Sequence, residues 1–311
     1  MAMVQYGLWS NCTNQCDFCL LQDRKYRSEE ERLNMLSSVK ENIKLLDWKN
    51  KFSDGLSLLG GEVYYTDSEK VKESFLDLIE LIIKEVLIKN KTAKYSTVTN
   101  GIYDSTILLE PTLDLMKKYN VLDQVDINFS WDLKYRFHTE ESLQSMIKNV
   151  NLVYEKYGLI PFVQTCLTQY IIDAHLKGKF NIFDYQQEHF PHTNLSFLYP
   201  HKINTGKEVP DFFFTRDSLF KFIKYLKDIN QNEIIQRLIQ SVVNSSQFKY
   251  TGLWRRDSIY NQKNKHLLQK CINQEPTLEN KQILTECGHS DMYRCYIDSD
   301  KCMLCDLLMV I

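Results

Sequence analysis

The sequence lacks any apolar run long enough to cross a membrane: the best candidate, Leu76 to Ile88, is broken by Asp77, Glu80, Lys84 and Glu85. A secretory leader is not expected either, since Met1 to Ser10 has neither a basic start nor a long apolar centre. A cytoplasmic chain with no membrane partner is therefore expected. It lacks an excess of charge of either sign, with 38 Lys and Arg against 40 Asp and Glu. The resulting net charge of -2 gives no electrostatic case for nucleic acid as the main partner. Internal repeats and low-complexity linkers are absent too. What remains is the composition of an ordinary globular protein, 43% hydrophobic and 25% charged over 311 residues.

Against that plain background the nine cysteines stand out. Cys12, Cys16 and Cys19 lie together at the front, while Cys271, Cys287, Cys295, Cys302 and Cys305 lie together at the back, with Cys166 alone between them. A cytoplasmic compartment keeps thiols reduced, which disfavours a disulfide framework. Two groups of reduced thiols point instead to two metal sites.

Hydrophobic periodicity predicts alternating strands and helices over the first 200 residues. Val4 to Trp9 reads as a strand that runs straight into the first cysteines. Ser28 with Glu31 makes a capping box for a helix carrying Leu33, Leu36, Val39, Ile43 and Leu46. Leu56 to Leu59 is a strand ended by Gly60-Gly61, and Val71, Phe75, Leu78, Ile82 and Val86 share the next helical face. Tyr95 to Thr99 is a strand closed by the turn pair Asn100-Gly101. Pro111 suits the first turn of a third helix with Leu113 and Met116 inward. Val125 to Trp131 is a fourth strand, Leu143 to Val153 a fourth helix, and Phe162 to Leu167 and Leu195 to Tyr199 the fifth and sixth strands. Strands joined through helices imply right-handed crossovers and a parallel sheet, with chemistry at the C-terminal strand ends. The fold class is thus α/β, a partial (β/α)6 TIM-type barrel over 1–210. A smaller extension follows over 211–311, helical from Ser218 to Val243 and cysteine-rich beyond, where a thin apolar core calls for a metal.

The front thiols have the spacing C-x3-C-x2-C. Four thiolates close a cubane iron–sulfur cluster, so three on one loop leave one iron open to a small chelator, such as an amino acid's amine and carboxylate. Zinc with a distant fourth ligand is the alternative. The spacing, Phe18 directly before the last cysteine and the place after the first strand resemble the radical S-adenosylmethionine (SAM) superfamily. The resemblance implies a [4Fe–4S] cluster on Cys12, Cys16 and Cys19, with SAM on the fourth iron. It implies reductive cleavage of SAM to a 5'-deoxyadenosyl radical, and an external one-electron donor such as flavodoxin or ferredoxin.

The same resemblance extends to the other strand ends. Gly60-Gly61-Glu62 falls where the family's backbone meets the SAM amino group, and glycine there permits a close approach. Val98-Thr99-Asn100-Gly101 matches the third-strand ending. Asn128-Phe129-Ser130-Trp131-Asp132 matches the fourth, where polar groups reach the SAM ribose or carboxylate; Asn128, Ser130 and Asp132 alternate onto one face. Thr165 is expected to face the same site, with Cys166 turned into the core, and Tyr199 to lie near the adenine. Val63 departs from the family, where proline is frequent.

At the back, Cys302-Met-Leu-Cys305 with Cys287-Gly288 resembles the auxiliary-cluster extensions called SPASM and twitch domains. Cys302 and Cys305 are the first-choice ligands, then Cys287, with Cys271 and Cys295 competing for the remaining place, or one iron left open for substrate. One auxiliary cluster is expected rather than two; a zinc knuckle that includes His289 is the alternative. His189 and His192 read as solvated loop histidines. The substrate class implied is a peptide or small molecule. Lys134-Tyr135-Arg136, Trp254-Arg255-Arg256 and Arg24, Lys25 and Arg27 are candidate contacts to an anionic substrate, with exposed, unpaired basic residues the preferred reading. Two other readings stay open: a non-catalytic iron–sulfur carrier or sensor, and an enzyme acting on a nucleotide or RNA.

Overall fold

The computed structural model describes residues 3–17, 19, 26–50, 54–132, 134–198, 214, 216–235 and 238. Phe18, Arg24, Lys25, Tyr199, the Trp254-Arg255-Arg256 stretch, His289 and all five back cysteines therefore lie outside the described residues, as does the expected boundary at 210.

Six parallel strands run in chain order through one sheet: β1 (Val4–Gly7), β2 (Gly55–Leu59), β3 (Lys94–Thr99), β4 (Val125–Trp131), β5 (Phe162–Cys166) and β6 (Asn194–Leu198). Helix α1 (Glu29–Leu45) follows β1, α2 (Glu69–Ile82) follows β2, α3 (Leu109–Lys118) follows β3 and α4 (Glu140–Tyr157) follows β4. Two short helices, α5 (Gln169–Leu176) and α6 (Ile182–His189), separate β5 from β6, and α7 (Arg216–Asp228) follows β6. Sequential strand order with a helix in every connection is the architecture of a partial (β/α)6 TIM-type barrel.

Local chemistry sets the boundaries. Ser28 caps α1 with the predicted box: its hydroxyl accepts from Glu31 N, and the Glu31 carboxylate accepts from Ser28 N. Ser68, Thr139 and Thr168 cap α2, α4 and α5 in the same way, each accepting from a backbone N–H three residues on. Gly158 ends α4 in the left-handed region at φ 70°. The apolar stripe of α2 continues through a π-helical turn, Ile83–Leu87, which keeps Val86 and Leu87 buried.

The described residues form two compact units, one of 1–165 and 183–195 and one that begins with 166–182 and resumes at 196. In the first, the helix-covered sheet face carries Leu56, Leu58, Tyr95, Ile127, Phe129, Trp131 and Val163, all buried. The helices contribute Leu36, Ile43, Phe75, Leu78, Met116, Met146 and Val150, also buried. The opposite face is mostly polar: Gln5, Ser57, Ser96 and Asp126 stand in one register row, and Ser130 pairs with Gln164 farther along. In the second unit, α5 packs on α7, with His175 against Phe222 and Tyr225 and Phe197 edge-on to Phe222.

Two expectations need correction. His189 is not in a loop: it ends α6, half-buried, with its ring 4.1 Å from that of Tyr185. His192 does stand exposed in the turn after α6, as expected, with its ring 3.9 Å from that of Tyr154. On β5, Thr165 rather than Cys166 is the buried residue, because Thr165 pairs with Trp131 on the helix-covered face. Cys166, one residue on, shares the half-buried face of Gln164.

Candidate metal centre

The candidate centre is assembled from the C-terminal ends of the first four strands. Leu8 and Trp9, both buried, carry the chain out of β1, and the cysteine loop begins at once. Asn11 closes the base of that loop: its side-chain oxygen accepts from Arg27 N at 2.9 Å and its amide donates to Arg27 O at 3.2 Å. Backbone-like pairing by one asparagine fixes where the loop leaves and returns. Arg27, a candidate substrate contact, is instead paired with Glu31 at 3.2 Å.

The end of β2 is sewn to the start of the loop. Gly61 N donates to Trp9 O at 2.7 Å, Glu62 N to Asn11 O at 2.8 Å, and the Trp9 indole N–H to Glu62 O at 2.8 Å. A Cβ on Gly60 would lie 2.8 Å from Trp9 O, and one on Gly61 would lie 2.4 Å from Asn11 O and 2.5 Å from Ser10 O. The glycine pair is thus required by the approach of the protein's own cysteine loop, a reason separate from ligand approach.

Glu62 is fully buried and turned inward. Its carboxylate accepts from Tyr64 N at 3.0 Å, Asn100 N at 2.7 Å and the Thr99 hydroxyl at 2.8 Å. Burial pushes its carboxyl up to about 7 against the opposing pull of those donors. Glu62 therefore joins the ends of β2 and β3 and sets the position of Asn100. The Asn100 side chain in turn reaches the loop, with its amide nitrogen 3.3 Å from Cys12 Sγ and 3.2 Å from Thr13 Oγ1. Gly101, at φ 73°, completes that turn where a Cβ would press on Met146 and Phe129.

The end of β4 holds the loop from its other side. Asp132 is buried; its Oδ1 accepts from Lys134 N at 3.0 Å and Tyr135 N at 2.6 Å, while among the described residues its Oδ2 has no hydrogen-bond partner. Burial raises its carboxyl to about 6, opposed first by the Tyr135 N–H and then by the Arg136 charge. The turn it organises presents two carbonyls to the cysteine loop: Tyr135 O accepts from Asp17 N at 3.0 Å, and Arg136 O accepts from the Asn14 amide at 2.9 Å. His138 adds a contact to Gln15 O at 3.0 Å. The 134–136 turn, a candidate substrate contact, thus serves the cysteine loop through its backbone.

Asn128 and Ser130 share the mostly polar sheet face as expected, Asn128 with its amide on Thr97 O at 3.1 Å. Thr165 lies on the other face, away from them, because of its register with Trp131. Sequence reasoning passed over Asn11 and Asn14; the one available signal was an asparagine inside the C-x3-C spacer.

The donor set suits a thiolate-held cluster. Three thiols occupy one loop, Cys16 is buried, Cys19 N bonds Cys16 O at 3.2 Å, and N–H groups already address two of the sulfurs. Among the described residues, no three His, Cys, Asp or Glu side chains stand together as a group that could hold a metal ion. Among the described residues, no helix is long and apolar enough to cross a membrane.

No protein-family model matches the sequence, and no curated protein matches it by sequence. The fold does have solved counterparts. One is a structure described as native anSMEcpe with bound AdoMet, which is S-adenosylmethionine; it superposes with a TM-score of 0.51 at 15% identity over 78% of this chain. The chain spans 66% of that protein's length.

Proposed function

We propose that the chain is a radical SAM enzyme. Cys12, Cys16 and Cys19 would hold a [4Fe–4S] cluster with one iron left for SAM. When bound, the cluster supplies the electron that splits SAM to methionine and a 5'-deoxyadenosyl radical, which takes hydrogen from a peptide or small-molecule substrate. The observation that carries this reading is a three-thiol loop directly after β1, anchored to the ends of β2, β3 and β4, in a fold shared with an AdoMet-bound protein.

The chain's own residues prepare that site. Asn11 closes the loop, Glu62 fixes Asn100 beside Cys12, and Asp132 shapes the turn that receives Asn14 and Asp17. The loop's backbone is held in place by these contacts, while its three thiols would still converge on loading. The polar face with Asn128 and Ser130 offers hydrogen-bonding groups to the ribose and carboxylate of SAM. Cys302 and Cys305, with Cys287 and one of Cys271 or Cys295, would hold an auxiliary iron–sulfur cluster, and a flavodoxin or ferredoxin would deliver the electron.

Anaerobic reconstitution followed by iron and sulfide counting tests the reading. About eight irons per chain are expected, falling to about four in a Cys12→Ala, Cys16→Ala, Cys19→Ala triple variant. Zinc without iron in the wild-type protein would contradict it.

A further inference from the structure

Hydrogen bonds to cysteine sulfur are among the levers that set an iron–sulfur potential, because a donor near the sulfur favours the more negative, reduced state. Two asparagines stand at this lever. The Asn100 amide nitrogen is 3.3 Å from Cys12 Sγ, the Asn14 backbone nitrogen is 3.4 Å from the same sulfur, and the Asn14 amide nitrogen is 3.4 Å from Cys16 Sγ.

The rest of the network fixes which end of each amide faces sulfur. Asn100 Oδ1 accepts from Ile102 N at 2.7 Å, and Asn14 Oδ1 accepts from Gln15 N at 2.9 Å. Only an oxygen can take those N–H groups, so the NH2 end of each side chain is the one turned to the thiols. Each is also held from a second side, Asn100 through its own N–H on Glu62 and Asn14 through its amide on Arg136 O at 2.9 Å. These are aimed donors on rigid supports.

We propose that Asn14 and Asn100 are positioning residues that raise the reduction potential of the cluster carried by the front cysteines, by donating N–H hydrogen bonds to Cys12 and Cys16. The inference rests on the radical SAM reading above and adds to it the groups that make the cluster reducible by a protein donor. Asn100 carries the separable part. Asn100→Asp keeps the acceptor for Ile102 N and removes the donor to sulfur, while Asn100→Leu removes the donor without adding charge.

The test is an anaerobic redox titration of the reconstituted full chain, followed by electron paramagnetic resonance. The relevant signal is the one that Cys16→Ala abolishes. Both Asn100 variants should retain the iron of the wild type and shift the midpoint to more negative potential; a tenfold loss in the reduction equilibrium corresponds to about 59 mV for one electron. A shift in Asn100→Asp alone would be a charge effect and would overturn the proposal. No shift in either would overturn it too, while leaving the cluster assignment intact. Wild-type protein that takes up no iron would instead remove the reading on which the proposal stands. Should a variant fail to fold or load, wild-type protein labelled with nitrogen-15 only in asparagine decides the matter. Weak asparagine nitrogen couplings to the reduced front cluster support the proposal, and their absence overturns it.

Discussion

Glu62 shows how one residue ties strand ends together. It is fully buried and accepts from Tyr64 N, Asn100 N and the Thr99 hydroxyl. Removing the carboxylate leaves the Tyr64 and Asn100 N–H groups unpaired, while the Thr99 hydroxyl keeps Tyr103 as an acceptor, so Glu62→Ala should cost about 2 kcal/mol or more in denaturant unfolding. Its raised carboxyl also makes stability depend on pH. The ordinary value of 4.5 rises to about 7 in the folded chain, so between those values the folded state holds a proton that the unfolded state has released. The corresponding stability is fully present below pH 4.5 and is lost as pH rises through 7. Asp132, raised to about 6, adds a contribution of the same sign over a lower window. Urea midpoints should therefore fall from pH 5 to pH 8, and Glu62→Gln should flatten that fall in part. An unchanged slope in Glu62→Gln would contradict the assignment.

At the level of elements, the central junction is the one between the loops after β1 and β2. Gly61→Ala places a methyl 2.4 Å from Asn11 O, a backbone atom that cannot rotate away. The variant should lose about 1–3 kcal/mol and take up less iron, with the far-ultraviolet circular dichroism of the sheet preserved. Gly7→Ala is the control, since a Cβ there meets nothing within 4 Å. Wild-type iron uptake in Gly61→Ala would show that the junction does not shape the loop. Most elements were legible because their signals are local: the Ser28 and Glu31 box, the 3.6-residue stripe of α2 and the alternation in β4 all act within a few residues of themselves. The face of β5 was not legible. Its five residues alternate without a strong polar bias, and the facing direction comes from register with Trp131 on a different strand. Helices α5 and α6 were missed for a related reason, being only eight residues each and held by tertiary contacts such as His175 Nε2 accepting from Ile182 N.

For the whole molecule, the order of strands and the placement of motifs at their C-terminal ends followed from the sequence, because alternation of β and α runs leaves few topologies. The supports of the site did not follow. Asn11, Asn14 and the carbonyls of Tyr135 and Arg136 act across as many as 122 residues of chain, and carbonyls carry no sequence signature at all. The proposed division of labour between front and back cysteines gives a prediction at this scale. Cys302→Ala with Cys305→Ala should reduce the reconstituted iron from about eight to about four and still permit SAM cleavage uncoupled from substrate. Complete loss of cleavage in that double variant would place the back cysteines in the cleavage step itself.

The most direct test of the central claim is the yield of 5'-deoxyadenosine when the reconstituted chain is given SAM and a strong one-electron reductant without oxygen. The wild-type protein should form it and Cys16→Ala should form none. Equal yields from the two proteins, or none from a wild-type chain carrying its full iron, would contradict the account.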